Sequence, residues 1–172
     1  METLIDSMYR KRFGIAKSSS YYEQEYICDC GGKYHHIACC FKDNENVLSF
    51  GMNYFLNSSF GNRYMIHAEH DAIKKLPNNN SNKRKNINML VLRFTKTNKL
   101  CMSRPCLQCL QYMLKLCPKK GYNIKNIYYS NNDGLIQKTT INKLLKENIH
   151  YSKSYYQKNY VTLEQYNNCE FL

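Results

Sequence analysis

A chain of 172 residues is long enough to bury one real core and too short for two ordinary domains, so a single folded unit is expected. Its formal net charge of +12 sets up a field that attracts phosphate-bearing partners, from mononucleotides to RNA or DNA, and fits a merely solvated lysine-rich surface equally well. The opening METLIDSMYRKRF lacks the apolar run of a signal peptide and no stretch is apolar enough to cross a bilayer, which leads us to expect no membrane partner and an intracellular location.

In a reducing compartment the nine cysteines, an odd number, read as metal ligands or small core residues rather than disulfides. Residues 1–30 carry Arg10, Lys11, Arg12 and Lys17 without apolar periodicity and are expected to form a basic extension. Residues 31–150 are expected to form the folded domain, and 151–172 a tail rich in Tyr, Lys and Gln.

Within the domain, YHHIACCF and VLSFGMN flank the turn-forming DNEN, which predicts a hairpin of the first two strands. A polar loop follows. HAEHDAIKKL then spaces Ala68, Ala72, Ile73 and Leu76 at helical intervals up to Pro77, predicting a short helix. INMLVLRF, apolar without a break from Met89 to Leu92, predicts a buried central strand. RPCLQCLQYMLKLC predicts a second helix that ends before Pro118. IKNIYYS and LIQKTTI around NNDG predict a second hairpin, and INKLLKENI a third helix. Strands alternating with helices in this order predict an α/β domain built on a mixed sheet.

Two segments carry chemistry. His67-Ala68-Glu69 opens the first helix, and Pro105-Cys106-Leu107-Gln108-Cys109 opens the second. Cysteines three apart at a helix N-terminus can turn both sulfurs to one side, where unpaired amides favour thiolate. Two thiolates at one spot want a cation. One His with two Cys is a suitable donor set for a zinc ion that keeps its fourth position open. Glu69 stands two residues past His67, close enough to face that position without ligating, as a proton shuttle would.

H-A-E followed by P-C-x-x-C resembles the signature of the cytidine and deoxycytidylate deaminase superfamily, the zinc-dependent nucleobase deaminases. The resemblance runs from about Tyr34 to Ile149. It implies a three-layer sheet with helices on both faces, Zn2+ on His67, Cys106 and Cys109, and Glu69 as the catalytic acid and base. It also implies a sugar contact from Asn53 in GMN and base contacts from the backbone amides of Ala68 and Cys106.

The implied reaction is hydrolytic removal of ammonia from cytosine in a nucleoside or nucleotide. A base in tRNA or single-stranded nucleic acid is the alternative substrate, and a zinc-stabilised binding module without catalysis is a further reading. A homo-oligomer is expected. A direct hairpin at IYYSNNDGLIQKTTI is similar to the free cytidine deaminases, whereas the His of HAE differs from the Cys usual there. SRPC and YYSNNDG resemble deaminase-like proteins of eukaryotes and large DNA viruses.

Cys28, Cys30, His35 and His36 offer a second metal site, but their spacing fits no standard finger and a loop plus strand is preferred. Cys39, Cys40, Cys101, Cys117 and Cys169 read as small hydrophobes or surface thiols, and His70 as a packing or surface residue.

Overall fold

Alternation of apolar residues in β1 (Tyr34–Phe41) supplies both faces of a sheet at once. Ala38 and Cys40 enter one core cluster while Ile37, Cys39 and Phe41 enter another, as the two-residue period of a strand requires. The computed structural model describes Leu4 and Ile5, residues 34–57, 63–95, 99–147 and 149–152. The expected basic arm, Cys28, Cys30, Cys169 and the tail beyond 152 lie outside these residues.

The main sheet has the order β2 (Val47–Met52), β1, β5 (Lys85–Thr95), β7 (Tyr122–Ser130), β8 (Ile136–Thr139), and β6 (Leu100–Cys101) adds to β5. β5 and β7 run parallel, and the remaining pairs are antiparallel. The domain is thus mixed α/β. β5 is central and buried from Ile87 to Leu92. Both expected hairpins form, β1–β2 and β7–β8. In the first, Glu45 takes a positive φ of 59° in the turn between Lys42 and Asn46.

Three helices among the described residues contribute to one core cluster: α1 (Ala68–Lys74), α2 (Leu107–Lys119) and α3 (Ile141–Lys146). Ala72, Ile73, Leu110, Met113 and Leu144 pack there on Met89, Val91 and Ile127. On the opposite face Leu4 and Ile5, which are helical, pack with Ile37, Leu90, Leu92 and Phe94.

Two expectations need correction. The stretch after β2, expected to be only a polar loop, holds a two-stranded hairpin, β3 (Tyr54–Asn57) with β4 (Arg63–Ile66), whose strands pair Phe55 with Met65. It begins one residue after Asn53 and ends at Ile66, one residue before His67. Its apolar residues, Tyr54 to Leu56 and Tyr64 to Ile66, form runs too short to stand out beside the polar sequence NSSFGNR.

The second correction concerns α2, expected to end before Pro118, which instead runs through it to Lys119. In a last turn the missing proline N–H forfeits only one bond. The stop is Gly121, at φ 82°, whose N–H reaches Pro118 O at 3.1 Å while Lys120 N–H reaches Cys117 O at 3.1 Å. A left-handed glycine just past the last turn is the standard way to satisfy such carbonyls.

Candidate metal centre

His67 and Cys106 occupy equivalent places, each the N-cap of its helix in extended backbone (φ −77°, ψ 151° and φ −77°, ψ 165°), and neither spends its side chain on capping. An N-cap side chain stands over the helix end, where the first amides are unpaired. Cys109 lies one turn into α2. The result is that His67 Nδ1 lies 3.2 Å from Cys109 Sγ and 3.5 Å from Cys106 Sγ, with the sulfurs 3.6 Å apart.

These separations can be tested against an ion. Tetrahedral bonds of about 2.3 Å to sulfur and about 2.0–2.1 Å to nitrogen set sulfur–sulfur edges near ~3.8 Å and sulfur–nitrogen edges near ~3.6 Å. The observed triangle matches within a few tenths of an ångström. His67, Cys106 and Cys109 therefore form a cluster able to hold a metal ion, and it is the only such group of His, Cys, Asp or Glu among the described residues.

The electrostatics have the same sense. The Cys106 thiol is pulled well below the ordinary thiol range, chiefly by its hydrogen bond with Cys109, with His67 adding a hydrogen bond and a charge against the opposing effect of burial. Cys109 is correspondingly held well above the ordinary thiol range, first by that hydrogen bond and then by burial. For His67 burial is the largest single influence and would lower it. The hydrogen bond and charge of Cys106, with the charge of Glu69, outweigh burial together and raise the imidazole to about 9. The protons held here are those a divalent cation would displace.

Glu69 is 5 % exposed. Burial raises its carboxyl above the ordinary value, against the charge of His67. The Cys109 thiol acts to lower it as well, so the carboxyl adjoins the cluster. Ala68 is fully buried at the start of α1. Asn53, 6 % exposed, accepts the His36 N–H through Oδ1 at 2.9 Å and holds Nδ2 3.9 Å from Met65 Sδ. Its oxygen thus ties the end of β2 back to β1. Comparison with family models and with curated proteins returns no match. The chemistry of the cluster has to be read from its own residues.

Several residues that hold the site in place are not evident from motif spacing. Asp71, 4 % exposed, accepts the Met52 N–H at 3.0 Å and pairs with Lys75 at 2.7 Å. It fastens α1 to the free edge of β2, one residue before Asn53. Gly51 lets the helix come this close, because a Cβ there would overlap Ala68 O and Ala72 N and stand 2.8 Å from Ala72 Cα. Those are backbone atoms and cannot swing aside. Gly51→Ala is expected to cost about 1–3 kcal/mol of stability or more and to weaken metal binding, read by chemical unfolding and by metal titration.

His70 is buried and stacks on Tyr112 with ring centroids 3.8 Å apart. It joins α1 to α2, as a packing residue would. Cys39, Cys40 and Cys117 are fully buried in the core, where burial pushes Cys39 and Cys117 up to about 12. Such thiols are inert small hydrophobes. Cys101 is half-buried in β6. His36 belongs to β1 opposite Arg93, and His35 to the same strand opposite Phe94.

Proposed function

We propose that the protein is a zinc-dependent hydrolytic deaminase acting on cytosine in a nucleoside or nucleotide, with the three-layer architecture of the cytidine deaminase-like superfamily. The observation that carries this reading is the triangle of His67 Nδ1 and the two sulfurs, close to three corners of a tetrahedron, with the buried carboxyl of Glu69 adjoining it. A structural zinc site has no use for a buried, unligated glutamate, whereas a hydrolytic one needs a proton carrier in that place.

His67, Cys106 and Cys109 would hold zinc, which acts as a Lewis acid that makes water nucleophilic near neutral pH. Glu69 would take a proton from the attacking water and give it to the ring nitrogen, then carry a second proton, from the hydroxyl newly formed on the ring carbon, to the amino group that leaves as ammonia. Its burial suits both halves of the task, since a carboxyl raised toward the working pH can accept and return a proton. Asn53 holds the sugar, and the Ala68 and Cys106 amides, at helix starts, hydrogen-bond the base.

Two observations favour a small substrate over a polynucleotide. β7 and β8 form a direct hairpin, the arrangement resembling free cytidine deaminases. Lys83, Arg84 and Lys85 are exposed at the beginning of β5, whereas the loop leading to Cys106 is anchored at Val91. Six residues of parallel strand separate them by about 20 Å.

Ammonia release screened over nucleosides, nucleotides and single-stranded oligonucleotides tests the reading. Turnover of a cytosine nucleoside or nucleotide that tolerates salt and survives neutralisation of Lys83, Arg84 and Lys85 is the expected result. Oligonucleotides deaminated far faster at low salt, with log K falling by ~0.7 per phosphate contact, would shift the reading to nucleic acid. Bound zinc with no ammonia from any base would leave a zinc-stabilised binding module.

A further inference from the structure

We infer that Ser103 is a positioning residue for the metal centre, its buried hydroxyl setting the approach of the chain to Cys106. The inference rests on His67, Cys106 and Cys109 binding a metal, and not on which substrate is processed.

Cys109 is placed by the helix it belongs to. Cys106 is not, because as N-cap it is only half inside α2, so its sulfur goes where the preceding loop sends it. That loop is planted in the sheet through Ser103. The parallel pairing of β5 with β7 ends at Val91 and Tyr129, and at the next step the strands no longer bond to each other. Instead Ser130 N–H donates to Ser103 Oγ at 2.8 Å, and Ser103 Oγ donates to Val91 O at 2.8 Å. A side-chain hydroxyl is thereby inserted as one rung of the ladder.

The backbone completes the insertion, with Ser103 N–H bonded to Ser130 O at 2.9 Å. Ser130 Oγ lies 2.8 Å from Ser103 Oγ and donates to Cys101 O at 2.6 Å. Ser103 is 3 % exposed and Ser130 is fully buried, so no water can stand in for a lost hydroxyl without a cavity. Only Arg104 and Pro105 separate this anchor from the ligand. Pro105 is buried with its φ fixed by its ring, and Arg104 is paired with Glu147 at 3.4 Å. A displacement at Ser103 therefore reaches Cys106 with little slack.

Ser130→Ala is the informative comparison. It removes a buried hydroxyl from the same network but leaves the rung from Ser130 N–H through Ser103 Oγ to Val91 O. The experiment titrates Co2+ into the full chain and records affinity and the sulfur-to-cobalt absorption bands for wild type, Ser103→Ala, Ser103→Thr and Ser130→Ala, alongside unfolding midpoints.

Ser103→Ala is expected to bind Co2+ ~10- to 100-fold more weakly, the range for loss of an outer partner of a metal ligand, with shifted bands. Ser130→Ala should lose comparable stability yet stay within a few-fold of wild-type affinity, and Ser103→Thr should restore binding. Wild-type affinity and bands in Ser103→Ala, equal weakening in Ser130→Ala, or no rescue by Ser103→Thr would each overturn the inference. A wild-type chain that takes up no Co2+ overturns it together with the metal centre. A chain that binds Co2+ in the expected pattern but releases no ammonia removes the proposed reaction and leaves the inference standing.

Discussion

Glu69→Ala is expected to retain the fold and the metal while turnover falls by at least ~10²- to 10⁴-fold, the range for one general acid or base, and further because Glu69 is proposed to fill both roles. Glu69 is 5 % exposed and its titration is influenced by His67, Cys106 and Cys109, so it adjoins the cluster without being one of the residues assigned to hold the ion. Glu69→Gln keeps the shape and much of the hydrogen bonding and should be nearly as inactive, since an amide cannot carry the proton. Metal content by elemental analysis and ammonia release on the same samples make the check. Near wild-type turnover in either variant would remove Glu69 from the mechanism.

The second large effect is on the metal itself. Cys106→Ala and Cys109→Ala are each expected to abolish stoichiometric zinc, because every ligand of a three-residue set is needed and the set exists only in the folded chain. Cys117→Ala is the matched control. It is a fully buried thiol further along the same helix, so its loss costs packing and should leave zinc content unchanged. Zinc retained in both ligand variants, measured after dialysis against a weak chelator, would refute the assignment. The same outcome in Cys117→Ala as in Cys106→Ala would mean that the helix and not the ligand had failed.

What could be read along the chain was what depends on near neighbours. Cys106 and Cys109 are one helical turn apart, His67 and Glu69 two residues apart, and strand alternation in β1 and the unbroken apolar run of β5 declare themselves within a few positions. The donor set, the α/β class and the two hairpins follow from such short-range chemistry. Boundaries were less legible where two local signals competed. At Pro118 the proline suggested a stop, whereas the left-handed Gly121 sets it.

What only the tertiary structure decided is how the two helix starts are brought within bonding distance of one ion. Asp71 meets Met52 across 19 positions, and Ser103 meets Ser130 across 27. These bonds depend on which strand edge faces which helix, and nothing in a run of neighbouring residues encodes that. Gly51 is similar: its freedom from a side chain matters only because α1 lies against it. The motif determined which atoms can hold a metal. The spacing of 3.2–3.6 Å among them came from packing, since close approach of α1 to β2 and the planting of the Cys106 loop in the sheet are properties of the assembled core.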